Sequence, residues 1–139
     1  MPSDLMIAFK QFVDELPEER RKKTALILKT APVDNNGTNL LSVYEDLVPE
    51  VNIIILPEIL NTENMNYLYN MADVTVAPSS AEGFGLSVAE SVLSGTPIIA
   101  SCIGGLQDQM RFVDDSGDCI SIDVNHPTNS DKRYNIHGE

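Results

Sequence analysis

PSSAEGFGLSVAESVLSGTPIIASCIGG, residues 78–105, is the stretch on which the fold turns. The apolar run Val74–Ala77 before it reads as a strand that stops at Pro78. A loop holding Gly83 and Gly85 then leads into Leu86-Ser87-Val88, the first turn of a helix that runs to Leu93 and closes at Gly95. Pro97–Ser101 is apolar again and reads as the next strand. Strand, glycine loop, helix, strand in so few residues describes one βαβ unit. A second glycine turn, Ile103-Gly104-Gly105, follows it ahead of a short helix, Leu106 to Met110.

The same alternation extends in both directions. Upstream, Ser3 to Glu15 carries Leu5, Phe9, Phe12, Val13 and Leu16 at helical spacing and stops at Pro17. Thr24–Leu28 and Val51–Leu56 read as buried strands, and Thr38–Leu47 and Thr62–Met71 as helices, the former after the Asp34-Asn35-Asn36-Gly37 turn. Downstream, Cys119–Ile122 reads as the last strand. The expectation is an α/β fold with a parallel sheet of about five strands, right-handed crossovers and helices on both faces. Ligands in such sheets sit at the C-terminal strand ends. That rule puts Lys29, the 57–61 loop, the 78–86 loop and the 102–105 loop on one rim.

The chain has 139 residues, enough for one domain that needs no disulfide or metal staple. Its 21 acidic against 9 basic residues give a net charge of −12. That balance argues against nucleic acid or an anionic membrane surface as partner, since both require a basic footprint. No apolar run reaches a membrane span and no signal-peptide core opens the chain, so a cytoplasmic location is expected. Cys102 and Cys119 fall at opposite edges of the expected sheet and are read as reduced thiols.

Chemistry concentrates on the rim. Backbone N–H groups of a glycine loop at a helix start can hold an anion with no basic side chain, helped by the helix dipole. Glu82 lies in the loop and Glu90 about one turn into the helix, where a carboxylate suits two vicinal hydroxyls. Each feature also has a plain structural account. Tight βα turns use glycine, and helix starts favour glutamate through the dipole alone. Lys29 reads either as a phosphate contact or as an ordinary exposed strand-end lysine.

Pro78-Ser79-Ser80, Glu82-Gly83-Phe84-Gly85-Leu86, Glu90, Gly95-Thr96-Pro97 and Gly104-Gly105 together resemble the signature of family-4 retaining glycosyltransferases. The likeness continues upstream through Tyr67-Leu68-Tyr69 and Ala72-Asp73-Val74 and covers roughly residues 3 to 120. It implies a Rossmann-like domain, the C-terminal, donor-binding half of a GT-B enzyme, over residues 1–125, with 126–139 as a polar tail. It further implies that Glu82 is the catalytic-side carboxylate against the donor sugar. The amides of Gly83, Phe84, Gly85 and Leu86 would hold sugar and diphosphate, and Glu90 the ribose. Ile59 and Leu60 would flank the base. The donor would be a nucleotide-diphosphate sugar, with no cofactor and no obligatory metal.

This sequence departs from the family pattern in two ways. An Arg and Lys pair for the diphosphate has no match among Lys10, Arg20, Arg21, Lys22 and Lys23, and Glu58 stands where many members have glycine. The N-terminal acceptor-binding domain, the implied partner, is not in these residues, so the chain is expected not to catalyse alone. Its ends read as cut, suggesting a piece of a larger enzyme. A non-catalytic nucleotide or sugar module and a purely structural fragment are the alternatives. His126 and His137 lack metal spacing, and Asn36-Gly37-Thr38 reads as a turn rather than a glycosylation site.

Overall fold

The computed structural model describes residues 2–33, 37–101, 103–109, 122–123 and 133–137. The chain forms two compact units, Met1–Ile59 and Leu60–Glu139.

In the first unit, α1 (Pro2–Glu15) buries Met6 and Val13 and rests Leu5 and Phe9 against the same core. The repeat of apolar residues every third or fourth position produces that face. Pro17 stops the helix, and α2 (Glu18–Arg21) follows directly. Arg21 then reaches back, donating to the carbonyls of Leu16 at 2.7 Å and Asp14 at 2.5 Å. A cation there serves carbonyls that the helix end leaves without partners. Strand β1 (Leu26–Leu28) pairs in parallel with β2 (Ile53–Ile55), in the register Leu26 to Ile53. Between them α3 (Leu40–Leu47) starts at the Asn39 cap, whose side-chain oxygen accepts from the N–H groups of Leu41 and Ser42. The expected start at Thr38 therefore moves inward by the reach of that cap. Leu28, Leu40, Val48 and Val51 complete the core.

In the second unit, α4 (Thr62–Met71) is capped by Asn61, which accepts from Asn64 N–H at 2.8 Å. Then come β3 (Thr75–Ala77), α5 (Leu86–Leu93), β4 (Ile98–Ser101), the short α6 (Leu106–Gln109), β5 (Ile122–Asp123) and β6 (Arg133–His137). β3 and β4 are parallel, with Thr75 opposite Ile98. Val88, Ile98, Ala100 and Leu106 form the apolar core, and Ser91, Thr96 and Ser101 are buried beside them.

The alternation of helices with parallel strands is as expected, but the sheet is not. Among the described residues the strands fall into two sheets, β1-β2 and β3-β4-β6-β5, and β6 runs antiparallel to both β4 and β5. β6 lies inside the stretch read as an aperiodic polar tail. Its alternation of Tyr134 and Ile136 with polar neighbours is a two-residue signal, too short to register against the surrounding Asn, Asp and Pro. It takes the edge of β4 that β3 leaves open, and an antiparallel neighbour needs no crossover helix. Of the strand expected at 119–122, only Ile122 is described, within β5. Cys102, Cys119, His126 and Asn36 lie outside the described residues.

Candidate functional site

The site grows from the loop between β3 and α5. Gly85 is the N-cap of α5 in the left-handed region, φ 82° and ψ 58°, where a side chain would strain the backbone. From that position its carbonyl accepts from the N–H groups of Val88 at 3.1 Å and Ala89 at 3.0 Å, starting the helix. The N–H groups of Leu86 and Ser87, ahead of that bond, have no carbonyl further up the helix to meet, so they are directed out of its end. Gly83 faces open space: nothing lies within 4 Å of where its Cβ would be. Phe84 and Leu86 on either side of Gly85 are exposed.

A second segment fixes this loop. Gly105 donates its N–H to the Glu82 carbonyl at 3.2 Å, and Gln109 donates through Nε2 to the Phe84 carbonyl. Ser101, fully buried at the end of β4, donates to the Ser79 carbonyl at 2.5 Å, and Ser79 Oγ reaches Glu82 Oε2 at 3.4 Å. The two glycine turns approach so closely that a Cβ on Gly104 would strike the Glu82 carbonyl, and one on Gly105 the Gly83 carbonyl. The second turn is thus small because it packs on the backbone of the first.

Glu90 stands on α5 with its carboxylate turned to α4, and Tyr69 Oη donates to Glu90 Oε2 at 3.0 Å. Burial, and then the hydrogen bond and charge of Glu90, push the Tyr69 phenol up to about 12. At neutral pH this hydroxyl is therefore a donor only towards Glu90.

Of the residues singled out from sequence, Glu82, Gly83, Phe84, Gly85 and Leu86 share the one loop, and Glu90 sits on the helix that it starts. Leu60 opens the second unit. Lys29 and Ile59 belong to the first unit, both exposed: Lys29 directly after β1, and Ile59 at 99% exposure. No lysine or arginine occurs between Lys29 and Arg111, so every residue from Leu60 to Gln109 that frames the loop is neutral or acidic.

Tyr69 and Ser79 stand in the sequence motif with no role of their own, and Ser101 and Gln109 carry no local signal; only the pairing of segments distant in sequence shows what the four side chains do. Among the described residues no group of three or more His, Cys, Asp or Glu is placed to hold a metal ion, and no helix is long and apolar enough to cross a membrane.

Comparison with known proteins gives this geometry a context. The family described as "Glycosyl transferases group 1" matches residues 37–112. A D-inositol 3-phosphate glycosyltransferase of Thermomonospora curvata is 46% identical over 59 residues, which are 42% of this chain and 13% of that protein. One from Thermobispora bispora is 32% identical over 114 residues, 79% of this chain and 26% of the relative. One from Corynebacterium kroppenstedtii is 28% identical over 129 residues, 91% of this chain and 27% of the relative. The matched stretch thus spans between 13% and 27% of the length of these relatives.

Proposed function

The chain belongs to the group 1 glycosyltransferases, and from that premise we propose that it is the donor-binding part of a retaining enzyme that takes a sugar from a nucleotide-diphosphate sugar. It would be the C-terminal, Rossmann-like half of a GT-B arrangement and act with an acceptor-binding domain. The observation that carries this reading is the loop itself. A left-handed glycine starts α5, open backbone precedes it at Gly83, and a carboxylate stands on either side, Glu82 before and Glu90 after.

In this reading the N–H groups of Gly83 to Leu86 hold the diphosphate and sugar. Glu82 accepts hydrogen bonds from the sugar hydroxyls, and Glu90 accepts from the ribose. When the bond from the anomeric carbon to the diphosphate oxygen breaks, that oxygen keeps the electron pair. The amides and dipole at the start of α5 stabilise the charge that develops there. The acceptor oxygen bonds to the same face of the sugar, and its proton passes to the departing diphosphate oxygen. Leu60 is assigned to the base, with no obligatory metal.

A second reading, a module that binds the donor and leaves catalysis to other residues, draws on one observation. The stretch without lysine or arginine leaves leaving-group charge to amides alone. Calorimetric titration of the chain with UDP, GDP, ADP and their sugar conjugates tests both. One nucleotide should bind, and binding should be lost in Glu90→Ala. No binding at millimolar concentration would rule out a donor site in this chain. Binding without sugar transfer when the acceptor domain is supplied would favour the second reading.

A further inference from the structure

An exposed glutamate on a helix ordinarily spreads over many rotamers, and a ligand that needs its carboxylate in one orientation must suppress the rest. Glu90 is on such an exposed face of α5. Its partner is not mobile. Tyr69 is only 8% exposed, and its Oη donates to Glu90 Oε2 at 3.0 Å.

The backbone of Tyr69 is itself held. Its carbonyl accepts from the buried Thr96 Oγ1 at 2.7 Å, and the Thr96 N–H donates to the Ser91 carbonyl on α5 at 3.1 Å. Ser94 Oγ, from the end of α5, reaches Asn66 Oδ1 on α4 at 3.4 Å. The two helices are thus tied at several points, and the stiff phenol ring between them brings its hydroxyl to one place.

We propose that Tyr69 is a positioning residue: its hydroxyl holds the Glu90 carboxylate in the orientation that accepts from two vicinal hydroxyls, and so makes the site select ribonucleotides over deoxyribonucleotides. This rests on the reading of Glu90 as the ribose ligand. The hydrogen-bond capacity is sufficient. An ionised carboxylate offers about four lone-pair sites, of which the phenol occupies one, leaving acceptors on both oxygens. A diol that donates twice fits what remains, whereas a 2′-deoxyribose leaves one acceptor without its donor.

The alternative role, a simple clamp between α4 and α5, makes a different prediction, because a clamp does not sense which sugar is bound. The test is calorimetric titration of the 139-residue chain and two variants, Tyr69→Phe and Glu90→Gln. The probes are UDP, ADP and GDP, each paired with its 2′-deoxy form. The wild-type chain should prefer the ribose form of the base it takes by about tenfold or more, the scale of a hydrogen bond to a charged group. Tyr69→Phe should bring that ratio to within about threefold of unity while the thermal midpoint stays near the wild-type value. Glu90→Gln should also reduce the preference.

Three results would overturn the proposal, each with a different meaning. If Tyr69→Phe keeps the full preference while Glu90→Gln loses it, Glu90 binds ribose without help from Tyr69. If Tyr69→Phe weakens both forms equally and lowers the thermal midpoint, Tyr69 is a clamp. If no nucleotide binds the wild-type chain, or if Glu90→Gln leaves the preference intact, the ribose reading of Glu90 fails and takes the proposal with it. Should Tyr69→Phe not fold, the tyrosine difference absorbance of the wild-type chain decides. It should change when the ribose form is added at saturation and not when the deoxy form is, and equal changes would count against a role for Tyr69.

Discussion

Residues Met1–Ile59 bury Met6, Val13, Leu28, Leu40, Val48 and Val51, all apolar, whereas Leu60–Glu139 buries the hydroxyls of Ser91, Thr96 and Ser101 beside Val88, Ile98, Ala100 and Leu106. Both units alternate helices with strands. Among its described residues the first buries only apolar side chains, and its side-chain hydrogen bonds and ion pairs lie at the surface, as where Asn52 donates to the Thr24 carbonyl and Lys10 meets Asp14 and Glu50. In the second, directed hydrogen bonds tie segments together: Ser91 Oγ to Thr75 Oγ1 at 2.8 Å, Thr96 to the Tyr69 carbonyl, and Ser101 to the Ser79 carbonyl. An apolar core sets how tightly elements pack, but it tolerates small shifts. Hydrogen bonds with defined donors and acceptors set where a loop lies, and the candidate site is built on such a loop.

If that contrast is right, the largest loss should come from the apolar core. Met6→Ala removes a fully buried side chain and should cost about 3 kcal/mol in a denaturant melt. It should leave the nucleotide affinity of chains that remain folded unchanged. A collapse of binding among folded chains would show that the two regions do not divide the work in this way.

Gly105→Ala is the complementary change in the second unit. Its Cβ would strike the Gly83 carbonyl, which is backbone and cannot rotate aside, so about 2 kcal/mol of stability should be lost. Binding should fall as well, because the loop carrying Glu82 to Leu86 must move. Gly83→Ala meets nothing within 4 Å and is the control, with little effect on stability. Equal stabilities for the two variants would mean that the turns do not pack as described.

The smallest effect lies at alkaline pH. The Tyr69 phenol is raised to about 12, first by burial and then by Glu90, above the roughly 10 of an unfolded tyrosine. A raised folded value means that its contribution is intact below about pH 10 and is lost as pH climbs from there through about 12. Urea midpoints measured across that window should decline less steeply in Tyr69→Phe than in wild type. Parallel declines would place the phenol in water rather than between α4 and α5.

Much of this was legible without coordinates. The glycine loop, the helix it starts and the two glutamates were readable from 78–105, because glycine at a strand–helix junction and carboxylates at fixed spacing are local signals. The start of α4 at Thr62 belongs to the same class, since Asn61 caps its own helix, whereas α3 starts two residues later than expected because its cap is Asn39. β6 was not legible. It is a strand because β4 offers it an edge, and the five residues of Arg133–His137 do not report that edge. Nor was the role of Gly104 and Gly105, whose small size answers to carbonyls some twenty residues earlier in the chain.

Signals within a few residues of one another carried the alternation of elements, the αL start of α5, the placing of Glu82 and Glu90 on either side of it, and membership of the group 1 glycosyltransferases. Packing settled the rest: that the described strands form two sheets with an antiparallel member, that Ser101 and Gly105 pin the loop, and that Tyr69 faces Glu90. The reason is physical. Caps, turns and periodicity are settled by neighbours along the chain, whereas a hydrogen bond across 21 residues exists only once both of its elements have packed.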